Sequence, residues 1–158
     1  EYSATLSTPL STTNGTEREF TDVPSWAKRI TVMFRRVSVD GTLPFKIQLG
    51  TSSSYFTTGY VSQSVSEPGN NINTETDSFV IRNPNASDSV TGQMIITKFS
   101  NTAWVATGQF SNSAVSGYGN QCSGDLSYAD GTTVISKIKI LTTSNSFDAG
   151  EINILYEG

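Results

Sequence analysis

The chain has 158 residues, which is the size of one compact domain and enough to bury roughly 70% of the unfolded surface. Ten Lys or Arg residues against fourteen Asp or Glu residues give a formal net charge of -4, and Ser and Thr together contribute 44 residues. The sequence contains neither a run of 18 apolar residues nor a basic excess, so we expect no membrane insertion and no nucleic-acid partner.

Histidine is absent, and Cys122 is the only cysteine. Without histidine, the chain lacks the commonest general base and the commonest zinc ligand. A single cysteine cannot form a disulfide within the chain. Because the sequence begins at Glu1 without a methionine, we expect either a processed protein or a fragment of a longer one.

The N-terminal segment differs from the rest in its expected role. Residues 1–15 are rich in Ser and Thr and include Pro9, which is typical of an extended arm or the end of a linker. Residues 16–158 show no change in composition and no internal repeat. The sequence therefore predicts a single domain over residues 16–158, preceded by an arm over residues 1–15.

From residue 28 onward, apolar residues recur with period two, the pattern of strands with one buried face. In residues 28–37 this alternation places Ile30, Val32 and Phe34 on one face. The later runs are marked by Phe45, Ile47 and Leu49, by Phe79 and Ile81, by Trp104, Ala106 and Phe110, by Val134, Ile138 and Ile140, and by Ile152, Ile154 and Tyr156. About nine or ten short strands result, which predicts an all-β fold, an antiparallel β-sandwich similar to a jelly roll.

Three further stretches complete the structural prediction. Residues 93–99 are apolar on both faces, so we expect this strand to lie centrally or against another subunit. The polar stretches 64–77 and 111–130 are typical of long loops, where function is often located. Trp26 and Trp104 each adjoin apolar alternation and are predicted to be core residues.

Catalysis without histidine would require a carboxylate pair or a lysine base beside a serine. Asp125 with Asp130, or Glu75 with Asp77, would supply such a pair, but most acidic residues of the chain lie in turn signatures. We therefore predict that the protein is not an enzyme and that it has no catalytic residues.

One polar stretch is rich in the oxygen ligands that Ca²⁺ prefers. Its side chains are Glu67, Asn70, Asn71, Asn73, Glu75 and Asp77. Their spacing does not match the regular twelve-residue calcium loop, which favours a solvated polar loop. We predict no metal site and no cofactor.

Aromatic side chains are the stronger indication of binding, because sugar rings stack on Tyr and Trp while amides and carboxylates bond the hydroxyl groups. The stretch 111–130 combines such groups and predicts a ligand-binding set: Tyr118, Asn120, Gln121, Asp125 and Tyr128. A second cluster consists of Tyr55, Phe56 and Tyr60. Packing in the core or against a subunit is the alternative for these rings.

Four segments carry a resemblance to known proteins: residues 20–34 (FTDVPSWAKRITVMF), 47–50 (IQLG), 58–60 (TGY) and 147–157 (FDAGEINILYE). The first three resemble the first part, and the last resembles the C-terminus, of a module found in tailed-bacteriophage virion proteins. The resemblance implies a virion domain of the kind carried on tail fibres and tailspikes. It assigns no binding residue, since the matching segments are predicted to be framework strands and this sequence departs from the module in its loops.

The resemblance leaves three functions open. The first is a receptor-binding domain, a homotrimer on the extracellular virion particle that contacts host surface polysaccharide and other virion proteins. The second is a capsid decoration or assembly domain without a ligand. The third is a carbohydrate-active enzyme domain.

Overall fold

A computed structural model describes residues 1–67, 71–83, 85–112 and 119–158. Strands make up 60% of the described residues, which contain no helix and therefore none that is long and apolar enough to cross a membrane. The strands form two antiparallel sheets, which confirms the predicted all-β, sandwich-like fold.

The described strands number thirteen, more than the nine or ten predicted from the apolar runs. They are β1 (Ala4–Leu6), β2 (Leu10–Ser11), β3 (Glu17–Phe20), β4 (Arg29–Val39), β5 (Phe45–Gly50), β6 (Tyr60–Glu67), β7 (Asn71–Glu75), β8 (Phe79–Ile81), β9 (Val90–Ser100), β10 (Ala103–Asn112), β11 (Gly119–Ser127), β12 (Lys137–Leu141) and β13 (Phe147–Glu157). The larger sheet has nine strands in the order β1-β13-β4-β9-β10-β11-β6-β7, with β2 also paired to β13. The smaller sheet has the order β3-β12-β5-β8. The N-terminal segment 1–15 thus contributes β1 and β2 to one edge of the larger sheet.

The apolar core lies between the two sheets and follows the predicted alternation. Ile30, Val32 and Phe34 of β4 are buried and face inward, as predicted. The ring of Phe34 contacts Phe45 of the smaller sheet and Phe110 of the larger sheet edge to face, at centroid distances of 5.5 and 5.4 Å. These contacts join the two sheets through their inner faces.

Of the two tryptophans, only Trp104 is a core residue. Trp26 is 39% exposed, so its predicted burial is wrong. It lies in a turn in which the backbone N–H of Ala27 donates to the carbonyl of Pro24 at 3.0 Å. The turn directs Ala27 into the core and leaves the indole at the end of the sheet, beside Gly158.

The stretch 64–77 is not a long loop, which corrects the prediction. β6 continues to Glu67, and β7 begins at Asn71. The inward positions of β6 after Tyr60 are Ser62, Ser64 and Ser66, and these pack between the two sheets. The hydroxyl of Ser62 accepts from the backbone N–H of Val80, and that of Ser64 accepts from the N–H of Arg82, each at 2.9 Å. Buried hydroxyls thereby satisfy donors on the free edge of β8.

The described residues of the stretch 111–130 are likewise mostly strand rather than loop. Residues 111–112 end β10, and β11 occupies Gly119–Ser127 between β10 and β6. The strand predicted over residues 93–99 belongs to β9, which lies between β4 and β10, and its predicted central position is confirmed. Met94 and Ile96 face the core, while Ile95 is half-buried on the outer face.

Candidate functional site

The residues predicted as one binding loop are distributed over different surfaces. Tyr118 lies outside the described residues. Asn120 faces the interior, whereas Gln121 and Asp125 face outward from β11. Gln121 and Asp125 are four residues apart on one strand, about 13 Å. Tyr128 follows the end of β11, so the described members of the predicted set do not converge.

The side chain of Asn120 belongs to a buried polar network. Its Nδ2 donates to the carbonyl of Arg82 at 2.7 Å and to Oδ1 of Asn112 at 2.9 Å. Arg82 in turn donates through a guanidinium nitrogen to Oδ1 of Asn73 at 2.7 Å. This network connects the inner faces of β10, β11 and β7 with the segment after β8.

Tyr128 is held by two aromatic neighbours. Its ring stacks on Phe56 at a centroid distance of 4.9 Å, and its hydroxyl accepts from Nε1 of Trp104 at 3.0 Å. Burial raises the pKa of Tyr128, against the smaller lowering effect of the bond from Trp104. This side chain packs against the core.

The second aromatic cluster also separates into different environments. Tyr60 is buried, and its hydroxyl accepts from the backbone N–H of Leu49 at 2.9 Å. Tyr55 lies over the smaller sheet, where its hydroxyl donates to Glu19 at 2.8 Å. Burial and then the bond to Glu19 raise the pKa of Tyr55. The ammonium groups of Lys137 and Lys139 lie 4.5 and 4.4 Å from the centre of its ring.

Three of the carboxylates considered for catalysis or metal binding, those of Glu75, Asp77 and Asp130, have partners within the protein. Nζ of Lys46 lies 3.4 Å from Glu75 and 3.1 Å from Asp77. Burial acts to raise the pKa of Asp77, but hydrogen bonds from Ser78 and Lys46 outweigh it and hold that pKa below its ordinary value. Asp130 accepts from the backbone N–H and the hydroxyl of Thr132. Within the described residues, no three His, Cys, Asp or Glu side chains are grouped to hold a metal ion.

Three glutamines converge on the outer face of the larger sheet. Gln93 of β9 is the register partner of Gln109 of β10, and Gln109 is the register partner of Gln121 of β11. All three side chains are exposed and lie on neighbouring strands about 4.8 Å apart. We call these three residues the glutamine row.

The surface around the glutamine row contains three adjoining depressions of about 530, 460 and 310 Å³. Gln109 lines all three. Thr107 lines the first and third, and Gln63 of β6 lines the third. Four of the five glutamines of the chain thus lie on this one face. The centre of this surface carries no charged side chain. Its glutamine amides supply both hydrogen-bond donors and hydrogen-bond acceptors.

Close backbone approach beneath this surface depends on Gly92. Its φ is +154°, and a Cβ atom there would lie 2.2 Å from the carbonyl oxygen of Gln109. Any larger residue would push β9 and β10 apart beside the glutamine row. The glycine therefore permits the pairing that places Gln93 beside Gln109.

Aliphatic side chains flank the glutamine row on the side of the sheet edge. Gln121 pairs with Val65 of β6, and Val65 pairs with Ile72 of β7. Val61 and Ile72 are 68% and 53% exposed. We call Val61, Val65 and Ile72 the apolar flank.

Of the glutamine row, sequence reasoning identified only Gln121. Gln93 and Gln109 occupy outward positions of strands that were recognised from their inward apolar residues. Cross-strand register, which the alternation alone does not give, is needed to see that the three amides are neighbours. The two recognised runs, read with the turn at Asn101 and Thr102, would have suggested that Gln93 lies opposite Gln109.

No protein-family model matches the sequence, and no curated protein shows significant similarity to it.

Proposed function

We propose that this chain is a non-catalytic receptor-binding domain of a bacteriophage virion that binds host surface polysaccharide through the outer face of its larger sheet. The observation that carries this proposal is the glutamine row, centred on Gln109. The resemblance of residues 20–34 and 147–157 to virion modules supports the assignment to an extracellular particle.

The chemistry of the glutamine row suits a neutral sugar. Each glutamine amide offers both an NH₂ donor and a carbonyl acceptor, and pairs of sugar hydroxyls present the complementary groups. Three amides at regular spacing on strands provide a rigid and repeated set of such contacts. Hydrogen bonds of this kind are individually weak in water, so firm attachment requires several sites acting together.

The contacts made by the carboxylates favour ligand binding without hydrolysis of the ligand. Glu75 and Asp77 each pair with Lys46, and Asp130 bonds the turn at Thr132. Hydrolysis of a glycosidic bond needs an acid and a base at a defined separation on either side of that bond. Carboxylates engaged with internal partners are poorly placed for these roles.

The apolar flank favours a second function, assembly of the virion without a ligand. Exposed Val61 and Ile72 at a sheet edge are suited to contact with a neighbouring subunit, as in a homotrimer or a decoration protein. In a trimeric receptor-binding domain the flank would hold the subunits together and leave the glutamine row accessible. Avidity across three such sites would then strengthen attachment.

Binding to an array of bacterial surface oligosaccharides separates the two functions. We expect the unaltered protein to bind members of the array, and Gln109→Ala to lose that binding without a change in melting temperature. Thr74→Ala, an exposed outer-face residue of β7, is the matched control and should bind normally.

Light scattering on the same samples tests the assembly function. A trimer that binds no glycan would favour the decoration or assembly domain and would contradict receptor binding. Release of reducing ends from a bound polysaccharide would contradict the non-catalytic assignment. If the apolar flank forms the contact, Ile72→Asp should dissociate the oligomer, because it places a carboxylate in an apolar interface.

A further inference from the structure

A second region of the outer face lies where the N-terminal segment meets the end of β13. A depression of about 220 Å³ is lined there by Tyr2, Lys28, Arg29, Thr97, Glu157 and Gly158, which we call the cationic corner. Arg29 pairs with Glu157 of β13 on one side and with Thr97 of β9 on the other. These three side chains form a continuous polar floor across three strands.

The cationic corner carries unpaired positive charge. Lys28 and Arg29 are exposed, and none of the ion pairs in the described part of the chain includes them. Lys98 of β9 pairs in register with the buried Trp104, so its side chain faces the other side of the sheet and is not part of the corner. Among the lining side chains, Glu157 supplies the one carboxylate, and it accepts a hydrogen bond from Tyr2. This positive surface occurs in a chain whose net charge is -4.

Two exposed aromatic rings flank the polar floor. Tyr2 is 69% exposed on the side of Glu157, and Phe99 is 75% exposed. Phe99 follows Thr97 by two residues on β9, at the irregularity in the pairing of β9 with β10. Exposed rings beside a polar floor are suited to stack on the apolar face of a sugar.

We propose that the cationic corner binds a carboxylate-bearing sugar residue of an acidic glycan. This inference rests on the proposed function and extends it by naming the ligand class. The guanidinium group of Arg29 and the ammonium group of Lys28 bind the carboxylate, and Tyr2 and Phe99 stack on the sugar ring.

The corner and the glutamine row are within reach of one ligand. Thr97 and Gln93 lie on the same face of β9, four residues apart, about 13 Å. An oligosaccharide of several residues that follows β9 contacts neutral hydroxyls at the glutamine row and a carboxylate at the corner. The preference for acidic over neutral glycans would therefore be set at the corner.

The test measures binding of uronate-containing and sialate-containing oligosaccharides, each beside its carboxyl-reduced neutral form, at low and high salt. We expect the acidic form to bind about tenfold more tightly than its neutral counterpart, with the preference decreasing as salt rises. Arg29→Ala should abolish the preference, and Phe99→Ala should weaken binding of both forms about fivefold. Arg36→Ala removes one positive charge seven residues along β4, about 20 Å away, and should leave the preference intact.

The outcomes separate this inference from the proposed function. Equal binding of acidic and neutral forms, with loss of both in Gln109→Ala, would contradict the cationic corner and support the glutamine row. Absence of binding to every oligosaccharide would contradict both. Binding of single-stranded DNA or of anionic lipid vesicles as tight as that of the acidic glycan, and equally reduced in Arg29→Ala, would show a non-selective charge effect and overturn the inference. An unchanged melting temperature of each variant excludes unfolding as the cause.

Discussion

The inner and outer faces of β9, β10 and β11 differ in polarity, although the same strands supply both. Met94, Ile96 and Leu126 face inward and are buried to 1% exposure or less. Gln93, Gln109 and Gln121 face outward and are exposed. Because successive residues of a strand point to opposite faces, packing constrains one set of side chains and leaves the other free to serve a ligand. Stability and binding are therefore separable residue by residue.

The largest expected effect comes from the adjacent pair Ile95 and Ile96, which have the same side chain on opposite faces. Ile96→Ala should cost about 2–5 kcal/mol of unfolding free energy, because it opens a cavity in the core. Ile95→Ala should cost well under half of that, since its side chain is half-buried. Denaturant titration of both variants measures the difference. If both variants lose the same amount of unfolding free energy, the outer face is also covered, for example by a neighbouring subunit.

A smaller loss is expected where the inner face is polar. Ser62→Ala and Ser64→Ala should each cost about 1–3 kcal/mol, because a backbone N–H of Val80 or Arg82 loses its partner. Ser123→Ala, on the exposed outer face of β11, is the matched control and should change stability by less than about 0.5 kcal/mol. A neutral effect of Ser62→Ala would mean that the two sheets are not joined through this bond.

Acid should weaken the contact between Lys46 and Asp77. The pKa of Asp77 lies below its ordinary value of 3.8 in the folded protein. The stability contributed by this carboxylate is therefore fully present above that value and is lost as the pH falls through the lower, folded pKa. The effect should be modest, because the Asp77 side chain is 41% exposed.

Comparison with Asp77→Asn isolates this contribution. The stability of the variant should fall less steeply than that of the unaltered protein below about pH 4, as followed by denaturant titration across the acid range. Asp148→Asn, which removes one negative charge at an exposed position, is the matched control for the loss of charge. A steeper fall in Asp77→Asn would contradict the assigned direction of the pKa shift.

The smallest effect on stability is expected at the centre of the glutamine row. Gln109→Ala should change the free energy of unfolding by less than about 0.5 kcal/mol, because the side chain is exposed. A loss of more than about 2 kcal/mol of unfolding free energy would show that Gln109 stabilises the fold. Stability and binding would then not be divided between the inner and outer faces.

The period-two pattern predicted the strands whose inner face is apolar. β4, β5 and β13 follow the predicted alternation, because their inward residues are aliphatic or aromatic. β6 and β11 were not recognised as strands: β11 lies wholly within the stretch 111–130 and β6 ends within the stretch 64–77, both predicted as loops. Their inward positions include Ser64 and Asn120, which bond other buried groups. A pattern search that assigns polar residues to solvent cannot recognise such strands.

The candidate site was less accessible to sequence reasoning than the fold. Gln121 was identified, but within a loop and with Asn120, which faces the opposite side of β11. The position of Gln93 beside Gln109 depends on the register of two strands, and Tyr2 approaches Glu157 across 155 positions of sequence. Neighbours of this kind are set by topology rather than by local pattern.

The central claim is that glycan binds at the glutamine row. The most direct measurement follows the side-chain amide resonances of the five glutamines by nuclear magnetic resonance while the best-binding bacterial oligosaccharide is added. We predict that the resonances of Gln93, Gln109 and Gln121 shift with a common affinity, while that of Gln48, which is buried and bonded to the carbonyl of Asp77, stays unchanged. Saturation of binding without a shift at the glutamine row would contradict the claim.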